Sequence, residues 1–460
     1  MATTGLKFAI IGAGSVSFCP ATLCDILLSE PIGRVPLSIA LMDIDAEALA
    51  VSEGFARQAV RQSGRMVNLA ATTVLQEALE GADFVITAIE VDRYRYWAMD
   101  FHIPRRYGFR QVYGENGGPG GMFHTLRNLP PMLHIARTMQ RVCPDAWLLN
   151  YTNPEAKLVE AIARLTKVKV VGLCHGEGMG RDQLAQILGM PKDQLATDVV
   201  GLNHFGWFAR VARADTGEDL YPLLREREAQ VDPLAHWDEL ALPRLMLRTY
   251  GLYPYPGANH IGEYLAWGDE LLASAKLQFY FDPAQTNPWG GGKTPEFVYG
   301  LADHPTDRPL FPAQGQSDRA NFLARFTLRP GGMAASGEYG IPIAEAIAFD
   351  MPRQIGAVNV PNIGYAPNLP QGMVIELPAL ADGAGIHPKP CAELPVAVAS
   401  MIQTQGAIHR LLIEAYEQQS RRKLLQAMLL DPTVSGYQNA VALINEMCDR
   451  QAEILPPLYW

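Results

Sequence analysis

Short apolar runs recur through residues 1–200 and alternate with stretches whose apolar positions repeat at helical spacing. Each run is of strand length and is bounded by polar or glycine-rich residues. The runs are Phe8–Ile11, Leu37–Met42, Ala70–Val74, Phe84–Ile89, Ala146–Tyr151 and Val168–Leu173. Because strands that alternate with helices form a parallel sheet covered on both faces, this half of the chain predicts a doubly wound, Rossmann-like α/β sheet.

The alternation breaks down after about residue 201, where short β-like runs mix with helical patterns. Phe205–Val211 and Met373–Leu377 are two of these runs, and amphipathic helices are predicted near the C-terminus. No linker, low-complexity tract or internal repeat separates the two halves. We therefore expect a cofactor-binding domain over 1–200 and a mixed α/β domain over 201–460 that closes the cleft and carries substrate, metal and subunit contacts.

The composition is that of an ordinary globular protein, with 48% hydrophobic and 19% charged residues. The net charge of −10 argues against nucleic acid or an anionic membrane as the main partner, although a few local Arg residues can still hold an anionic substrate. The six Cys residues show no framework spacing, and neither a secretory signal nor a membrane-spanning apolar run is visible. These features predict a cytoplasmic protein.

A glycine turn follows the first apolar run and opens a helical pattern. Gly12, Gly14, Ser15 and Val16 supply the close backbone approach and the helix N-terminus that a dinucleotide needs, although the third glycine of the usual fingerprint is missing. The second run is followed by Asp43, at the position where an acidic residue accepts hydrogen bonds from the adenine ribose hydroxyls in dinucleotide-binding folds and favours NAD over NADP. A plain tight turn and a helix-capping aspartate are the alternatives.

The fourth run ends at Ile89 and Glu90, where a loop toward the nicotinamide would start. From Asp92 to Gly121 the chain is polar, aromatic and glycine-rich, which predicts one long functional loop. Arg93 and Arg95 lie in this loop. A lid or a subunit contact without chemistry is the alternative.

Polar side chains stand at further strand ends. Asn150 and Asn153 follow the fifth run, where they can bind hydroxyls or cap the next helix. Cys174 follows the sixth run, and His204 follows a similar apolar run later in the chain. One thiolate and one imidazole leave coordination positions open, and a shell completed by hydroxyls and water suits Mn²⁺. A core cysteine and a hydrogen-bonded histidine are the alternative.

Taken together, these segments resemble the family 4 glycoside hydrolases, the NAD- and Mn²⁺-dependent glycosidases. The resemblance covers nearly the whole chain, and the order and spacing of its segments make it specific. The segments are Gly12–Ser15 with Phe18, Asp43, Ile103–Gly108, Gly114–Gly121, Asn150–Pro154, Gly172–His175, Gly201–His204, Gly337–Tyr339, Asn359–Gly364 with Leu369–Pro370, and Glu376–Pro378.

The resemblance implies a redox-assisted elimination. The sugar is oxidised at C3 by NAD⁺, a metal held by Cys174 and His204 polarises the new ketone, and a base removes the acidified C2 proton. The C1 oxygen then leaves with the help of an acid, water adds, and the hydride returns to C3. NAD is regenerated in each turnover, so no net oxidation occurs.

The resemblance also implies roles for single residues. His175 is the candidate acid, Tyr264 the first candidate base and His260 the second. Asn150 is placed at the cofactor. The contacts to sugar hydroxyls are assigned to Glu115, Asn116 and Asn153.

The substrate is the least determined part of the prediction. A Cys–His pair at Cys174 and His175 is more typical of relatives that act on unphosphorylated glycosides or uronides. Arg93 and Arg95 stand where relatives often carry Gly, so they are candidates for binding a carboxylate or sulfonate; a solvated face or a subunit contact is the alternative. We expect a small unphosphorylated substrate, an α-glucoside, an α-galactoside or an anionic sugar, and a homodimer or homotetramer.

Two other functions are compatible with the sequence. An NAD-dependent dehydrogenase of the malate or lactate type would share the fold, including its mixed C-terminal lobe, but needs a His–Asp relay and an Arg clamp instead of a cysteine-based metal site. A dinucleotide-binding sensor would not need polar residues at so many strand ends. Turnover that requires Mn²⁺ without accumulation of NADH separates the glycosidase from the dehydrogenase.

Overall fold

The computed structural model of the protein describes residues 5–15, 18–231, 240–270, 326–328 and 332–460 and, of residues 94, 98 and 102, the backbone. Val16, predicted to line the cofactor turn, lies outside the described residues. Within them, twelve strands form one sheet. The strands are β1 Leu6–Ile11, β2 Leu37–Met42, β3 Val67–Thr72, β4 Phe84–Thr87, β5 Trp147–Asn150, β6 Lys169–Gly172, β7 Leu195–Leu202, β8 Phe205–Arg213, β9 Tyr253–Tyr255, β10 Arg353–Pro361, β11 Val374–Asp382 and β12 Gly385–Pro388.

The strand order is β3-β2-β1-β4-β5-β6-β10-β11-β7-β8-β9, and β12 pairs with β11. Neighbours from β3 to β6 are parallel and follow the Rossmann order. From β6 onward the neighbours are antiparallel. The predicted Rossmann-like sheet with a mixed α/β second half is confirmed. The domain boundary at residue 200 stays a prediction, because the sheet continues across it.

Helices and short 3-10 turns connect the strands. The helices are α1 Cys19–Leu28, α2 Ala46–Ser63, α3 Leu75–Leu79, α4 Arg93–Arg106, α5 Gly118–Val142, α6 Glu155–Leu165, α7 Gly176–Leu188, α8 Tyr221–Ala229, α9 Ala241–Tyr250, α10 Ala258–Gly262, α11 Gly340–Phe349, α12 Val396–Glu417, α13 Arg421–Leu430 and α14 Tyr437–Arg450. The 3-10 turns are Ile32–Arg34, Lys192–Gln194 and Gly268–Glu270.

Strand β1 shows why the parallel half reads as continuous apolar runs. Phe8 and Ile10 enter one hydrophobic core together with residues of α1 and α2. Ala9 and Ile11 enter a second core, on the other face, together with residues of α5 and α12. Because successive side chains of a strand point to opposite faces, a strand covered on both sides needs apolar residues at every position.

The long loop predicted over 92–121 is wrong, because the structure places helix α4 in its first half and begins α5 at Gly118. Trp97 and Phe101 lie one helical turn apart, and both are buried in a core with strands of the antiparallel half. This apolar stripe is narrow and is flanked by Arg and Tyr residues, so the average polarity of the segment hides the helix.

Candidate active site

One row of residues in register crosses the sheet at the carboxyl ends of the parallel strands. In spatial order it contains Ile11, Thr87, Asn150, Gly172, Asn359, Glu376 and Gly201. Thr87 Oγ1 donates to Asn150 Oδ1 at 2.9 Å. Asn359 Nδ2 donates to Glu376 Oε1 at 3.1 Å. Since open α/β sheets bind ligands at the carboxyl ends of their strands, this buried polar row is the floor of the candidate site.

The glycine turn after β1 is closely packed against the strands beside it. Gly12 has a φ of 85°, and a Cβ at this position would lie 2.5 Å from the Ala88 carbonyl oxygen. The Gly14 N–H donates to Asp43 Oδ2 at 2.7 Å, and the Ser15 N–H donates to the Gly12 carbonyl at 2.9 Å. The structure therefore brings the predicted turn and the predicted acidic residue into contact.

At the end of β4 the predicted cofactor residues are tied into neighbouring elements. The Ile89 N–H donates to Thr152 Oγ1 at 3.0 Å. Glu90 Oε2 lies 2.8 Å from His124 Nε2 and accepts from Arg93 at 3.2 Å. Burial on its own raises the pKa of Glu90, but its contacts with His124 and Arg93 lower it to about 2. Glu90 is therefore an ionised carboxylate beside the cofactor turn.

The two arginines proposed for an anionic substrate both have carboxylate partners within the chain. Arg93 lies between Glu90 and Glu115, and its contact with Glu115 Oε1 is 2.5 Å. Arg95 is more exposed and pairs with Glu453 at 2.7 Å. Each guanidinium is thus neutralised locally in the structure.

Cys174 and His204 come from different halves of the sheet. Cys174 Sγ accepts from the Gly176 N–H at 3.3 Å, and burial raises the pKa of this thiol. Asn203, the residue before His204, lies beside the thiol and opposes that rise in pKa. His204 itself has a φ of 66°, a strained conformation that is concentrated at functional sites. Through Asn203 the structure brings the two predicted ligand segments together.

Three potential metal ligands surround one point at this edge. Glu115, His204 and His260 each offer one ligand atom, and these atoms lie within 4.8 Å of one another; no other such group occurs among the described residues. The two imidazole rings meet edge to face at 4.3 Å. Burial lowers the pKa of His204 well below its usual value and that of His260 to about 4. Both rings are therefore neutral at pH 7 and can accept a proton or coordinate a cation.

His175 is oriented by a carboxylate that had no assigned role in the sequence. Its Nδ1 lies 3.2 Å from Glu338 Oε1, and this hydrogen bond raises the pKa of His175. The imidazole remains largely exposed, with 59% of its side-chain surface accessible. A histidine held in this way can reach a ligand and donate a proton to it.

Tyr264, the first candidate base, lies in a wall of the site. Its hydroxyl donates to the Asn203 carbonyl at 3.4 Å, and its ring stacks on Phe205 at 4.9 Å. Burial raises the pKa of Tyr264 well above its usual value. In this structure the hydroxyl is therefore a donor.

The two asparagines after β5 differ in how their side chains are used. Asn150 is fully buried, and its amide exchanges hydrogen bonds with the backbone of Thr152 at 3.1 Å in both directions, besides accepting from Thr87. Asn153 is half-buried, and its carbonyl accepts from Asn128 Nδ2 at 2.7 Å. Asn150 thus orders the strand end, whereas the Asn153 side chain lies nearer to solvent.

Sequence reasoning missed four buried or partly buried charged residues that contact the predicted site. They are Lys157, Glu263, Glu338 and Glu376. Glu338 and Glu376 lie in segments that carry the family resemblance, and Glu263 lies between the two candidate bases. The sequence therefore pointed to these segments, but it did not indicate the roles of the three glutamates. For Lys157 no signal existed, because it is one cation in an ordinary amphipathic pattern.

Comparison with known proteins decides the family. The model described as family 4 glycosyl hydrolase matches residues 7–190, and that of the family 4 C-terminal domain matches residues 199–434. The chain belongs to the family 4 glycosyl hydrolases. The predicted resemblance is confirmed, and the protein is a hydrolase of glycosides. The dehydrogenase and sensor alternatives are thereby set aside.

This family 4 glycosyl hydrolase is similar over its full length to characterised relatives. It is 30% identical to an α-glucosidase of Erwinia rhapontici over 97% of this chain and 98% of the relative. It is 31% identical to an α-galactosidase of Bacillus subtilis over 96% of each chain. A 6-phospho-α-glucosidase from gut microorganisms, solved in complex with NAD and Mn²⁺, superposes with a TM-score of 0.78 at 22% identity over 99% of this chain and 100% of that one.

Proposed function

We propose that this family 4 glycosyl hydrolase is an NAD⁺- and Mn²⁺-dependent glycosidase that cleaves a small, neutral, unphosphorylated α-glycoside by elimination and re-addition of water. The proposal is carried by the cluster of Glu115, His204 and His260 at the carboxyl edge of the sheet, whose potential ligand atoms lie within 4.8 Å of one another. The glycine turn after β1 lies at the same edge.

The residues of the glycine turn fit NAD. Gly12 leaves no room for a Cβ, and its backbone can be approached closely by a pyrophosphate. The Asp43 carboxylate accepts from the N–H groups of Gly14 and Asp45. Because a carboxylate offers about four acceptor sites, it can still accept from the two ribose hydroxyls, and it would repel a 2′-phosphate.

The donor set at His204 fits a divalent transition metal. A neutral imidazole is the form that coordinates, and burial keeps His204 neutral. Cys174 must lose its proton when a cation binds. Asn203 beside it is buried, and neither of its amide atoms completes a hydrogen bond within the described chain. We assign the ion to Cys174 and His204, with Glu115 as a further donor within reach of His204.

When bound, NAD⁺ supplies a hydride acceptor for C3 of the sugar and Mn²⁺ supplies a Lewis acid for the oxygen of that carbon. His260 is assigned as the base for the C2 proton, because its ring is neutral and is fixed by a 2.6 Å contact between its Nδ1 and Asn259 Oδ1. His175, oriented by Glu338, is assigned as the acid that protonates the departing C1 oxygen.

The charges around the site support a neutral substrate. Arg93 and Arg95 are already paired with carboxylates, and the ionised Glu90 lies next to Arg93. Asn153, Glu115 and Asn116 are assigned to the sugar hydroxyls, which amide and carboxylate groups bind well. The names of the two relatives at 30% and 31% identity, an α-glucosidase and an α-galactosidase, support a neutral hexose.

The test is cleavage of p-nitrophenyl α-glucoside, α-galactoside, α-galacturonide and α-glucoside 6-phosphate with NAD⁺, Mn²⁺ and a thiol reductant, each additive being omitted in turn. We expect release of nitrophenol from a neutral α-glycoside only when both NAD⁺ and Mn²⁺ are present, with no steady rise in NADH absorbance. Cleavage confined to the 6-phosphate would contradict the unphosphorylated substrate. Stoichiometric NADH without nitrophenol would contradict the mechanism.

Two further assignments belong to this proposal. All six cysteines are free thiols, which suits the reducing cytoplasm where we place the enzyme. No helix in the described part of the chain is long and apolar enough to cross a membrane.

The homodimer or homotetramer implied by the resemblance stays a prediction, which light scattering of the purified chain can decide.

A further inference from the structure

The two peptide groups on either side of Asn116 are held by buried ionisable side chains. Both oxygens of Glu263 accept from the Asn116 N–H at 3.1 Å, and Oε1 also accepts from the Glu115 N–H at 2.5 Å. Lys157 Nζ donates to the Asn116 carbonyl. Glu263 is 0% and Lys157 3% exposed, so water does not compete for these contacts. We call the arrangement of Glu263, Lys157 and the two peptide groups that flank Asn116 the Asn116 clamp.

The clamped residue contacts a predicted metal ligand directly. Asn116 Nδ2 lies 2.9 Å from His204 Nδ1 and donates to Glu115 Oε2 at 3.3 Å. Glu115 Oε2 in turn lies 4.0 Å from His204 Nδ1. An imidazole that binds a metal through Nε2 carries its proton on Nδ1, so in the metal-bound form this N–H would donate to the Asn116 amide oxygen, which a half-turn of the amide presents in place of Nδ2. A hydrogen bond at the second nitrogen of a ligating imidazole fixes the orientation of its ring. The Asn116 amide therefore fixes the orientation of the His204 ring relative to the site.

The short segment ahead of α5 gains support from outside. Gly114 and Gly117 flank Glu115 and Asn116, and glycines give the backbone more conformational freedom than other residues. The loop also rests directly on Glu263, because a Cβ on Gly117 would lie 2.6 Å from Glu263 Cβ. The Asn116 clamp therefore fixes this segment against α6 and the turn after α10.

We infer that Glu263 and Lys157 are positioning residues for the metal site: by clamping the two peptide groups that flank Asn116 they hold the Asn116 amide against His204 and keep that ring in its ligating orientation. The inference rests on the proposed role of His204 as a metal ligand. Glu263 also lies on the turn that follows His260, so the same carboxylate ties the loop with Glu115 and Asn116 to the segment of the proposed base.

Binding of Mn²⁺ by the full-length chain tests the clamp without requiring turnover. The free Mn²⁺ signal in electron paramagnetic resonance, measured in the presence of NAD⁺, gives the dissociation constant. Glu263→Gln keeps the shape but replaces one acceptor oxygen by an NH2 group that cannot accept from the N–H groups of Glu115 and Asn116, and we expect the Kd for Mn²⁺ to rise about 10- to 100-fold, as for other residues behind a metal ligand. Lys157→Met should raise it in the same direction.

Glu228→Gln is the matched control. Glu228 is as deeply buried as Glu263, but it pairs with Arg244 on the helices α8 and α9. Its replacement makes the same carboxyl-to-amide change at a buried site without touching the clamp, so the Kd for Mn²⁺ should stay at the wild-type value. An equal loss of Mn²⁺ affinity in this control would show that any such change at a buried carboxyl has the effect, and would overturn the positioning role.

A double-mutant cycle separates positioning from a general loss of structure. If Glu263 acts through Asn116, then Glu263→Gln should change the Kd for Mn²⁺ little once Asn116→Ala is present, because the two changes break one chain of contacts. Independent, additive effects would overturn the inference. Should Glu263→Gln fail to fold, Lys157→Met combined with Asn116→Ala gives the same cycle from the carbonyl side.

The outcomes also distinguish the clamp from the proposed function. Wild-type protein that binds no Mn²⁺ would overturn both proposals. Wild-type protein that binds Mn²⁺ and cleaves a glycoside, beside Glu263→Gln and Lys157→Met proteins with unchanged Kd, would overturn the clamp alone. Faster amide exchange of the peptide containing residues 115–117 in the Glu263→Gln protein is the expected companion result, since that carboxylate accepts from two of these N–H groups.

Discussion

Two candidate bases stand four residues apart, and their surroundings give them opposite properties. The Tyr264 hydroxyl donates to the Asn203 carbonyl, and burial raises the pKa of Tyr264, so it keeps its proton at pH 7. Burial acts on His260 in the other direction, because its charged form is the protonated one; the pKa falls to about 4. The same physical effect thus makes Tyr264 a donor and His260 an acceptor.

Exchange of the sugar C2 hydrogen with solvent reports the base directly. In D₂O, wild-type enzyme should place deuterium at C2 of the released sugar, which NMR of the product detects. We expect His260→Ala to slow this exchange by about 10²- to 10⁴-fold, the usual contribution of a general base. Tyr264→Phe keeps the ring that stacks on Phe205 and should exchange at a rate near that of wild type. The reverse pattern would assign the base to Tyr264.

At the level of secondary structure, the parallel half of the sheet could be predicted and part of the second half could not. The second strand was predicted as Leu37–Met42 and is found at those residues, because a strand buried on both faces leaves a continuous apolar run. Asn359 was not predicted to lie in a strand but is found inside β10, where its Nδ2 donates to Glu376 on β11. A polar residue paired across a sheet leaves no periodic signal in its own segment.

The sequence predicted the site residues that stand at strand ends, but it did not predict the residues that support them. The reason is again that pairing between distant segments leaves no local signal. Cys174, His204 and the glycine turn follow apolar runs, and that position marks them. The contact of Glu263 with Asn116 spans 147 residues of sequence, and that of Lys157 with Asn116 spans 41. Local composition carries no information about such partners, so only the folded chain shows that these charges are paired.

The turn after β1 makes a prediction at the level of one element. Gly12→Ala would put a Cβ 2.5 Å from the Ala88 carbonyl oxygen at a φ of 85°, so the turn must move. We expect a lower thermal midpoint and a higher Kd for NADH, measured by its fluorescence. Gly54→Ala is the control, because Gly54 is exposed in α2 with nothing within 4 Å of an added Cβ; this change should stabilise the protein by about 0.5–1 kcal/mol. Unchanged NADH affinity in Gly12→Ala would contradict the assignment of the turn.

At the scale of the whole molecule, buried glutamate side chains lie where the parallel and antiparallel halves of the sheet join. Glu155, from the parallel half, lies over Gly172, where an added Cβ would be 1.2 Å from its Oε1. Burial, and then the nearby Glu376, raise the pKa of Glu155 well above its usual value. Glu376, on the antiparallel side, accepts from Tyr255 and Asn359. The junction therefore holds polar groups whose charge states depend on pH, and stability should depend on pH with them.

Glu376 gives this dependence a sign. Burial raises its pKa from 4.5 to about 7, against the opposing effect of its hydrogen bonds to Tyr255 and Asn359. Between these values the folded chain keeps a proton that the unfolded chain releases, so the contribution of Glu376 to stability is present below pH 4.5 and is lost as the pH rises through 7. A shift of this size corresponds to a loss of at most about 3 kcal/mol.

Glu376→Gln should remove that loss. A glutamine is neutral at every pH, and its amide can accept from Tyr255 and donate to Asn359 Oδ1, which has no hydrogen-bond partner in the described chain. We expect the thermal midpoint of Glu376→Gln, relative to wild type, to rise as the pH is raised from 5 to 8, measured by circular dichroism in one buffer series. A midpoint difference that stays constant over this range would show that Glu376 does not titrate at the junction. A difference that falls as the pH rises would mean that the folded protein lowers the pKa of Glu376 instead of raising it. The junction between the antiparallel half and the Rossmann-like half would then contain an ionised carboxylate.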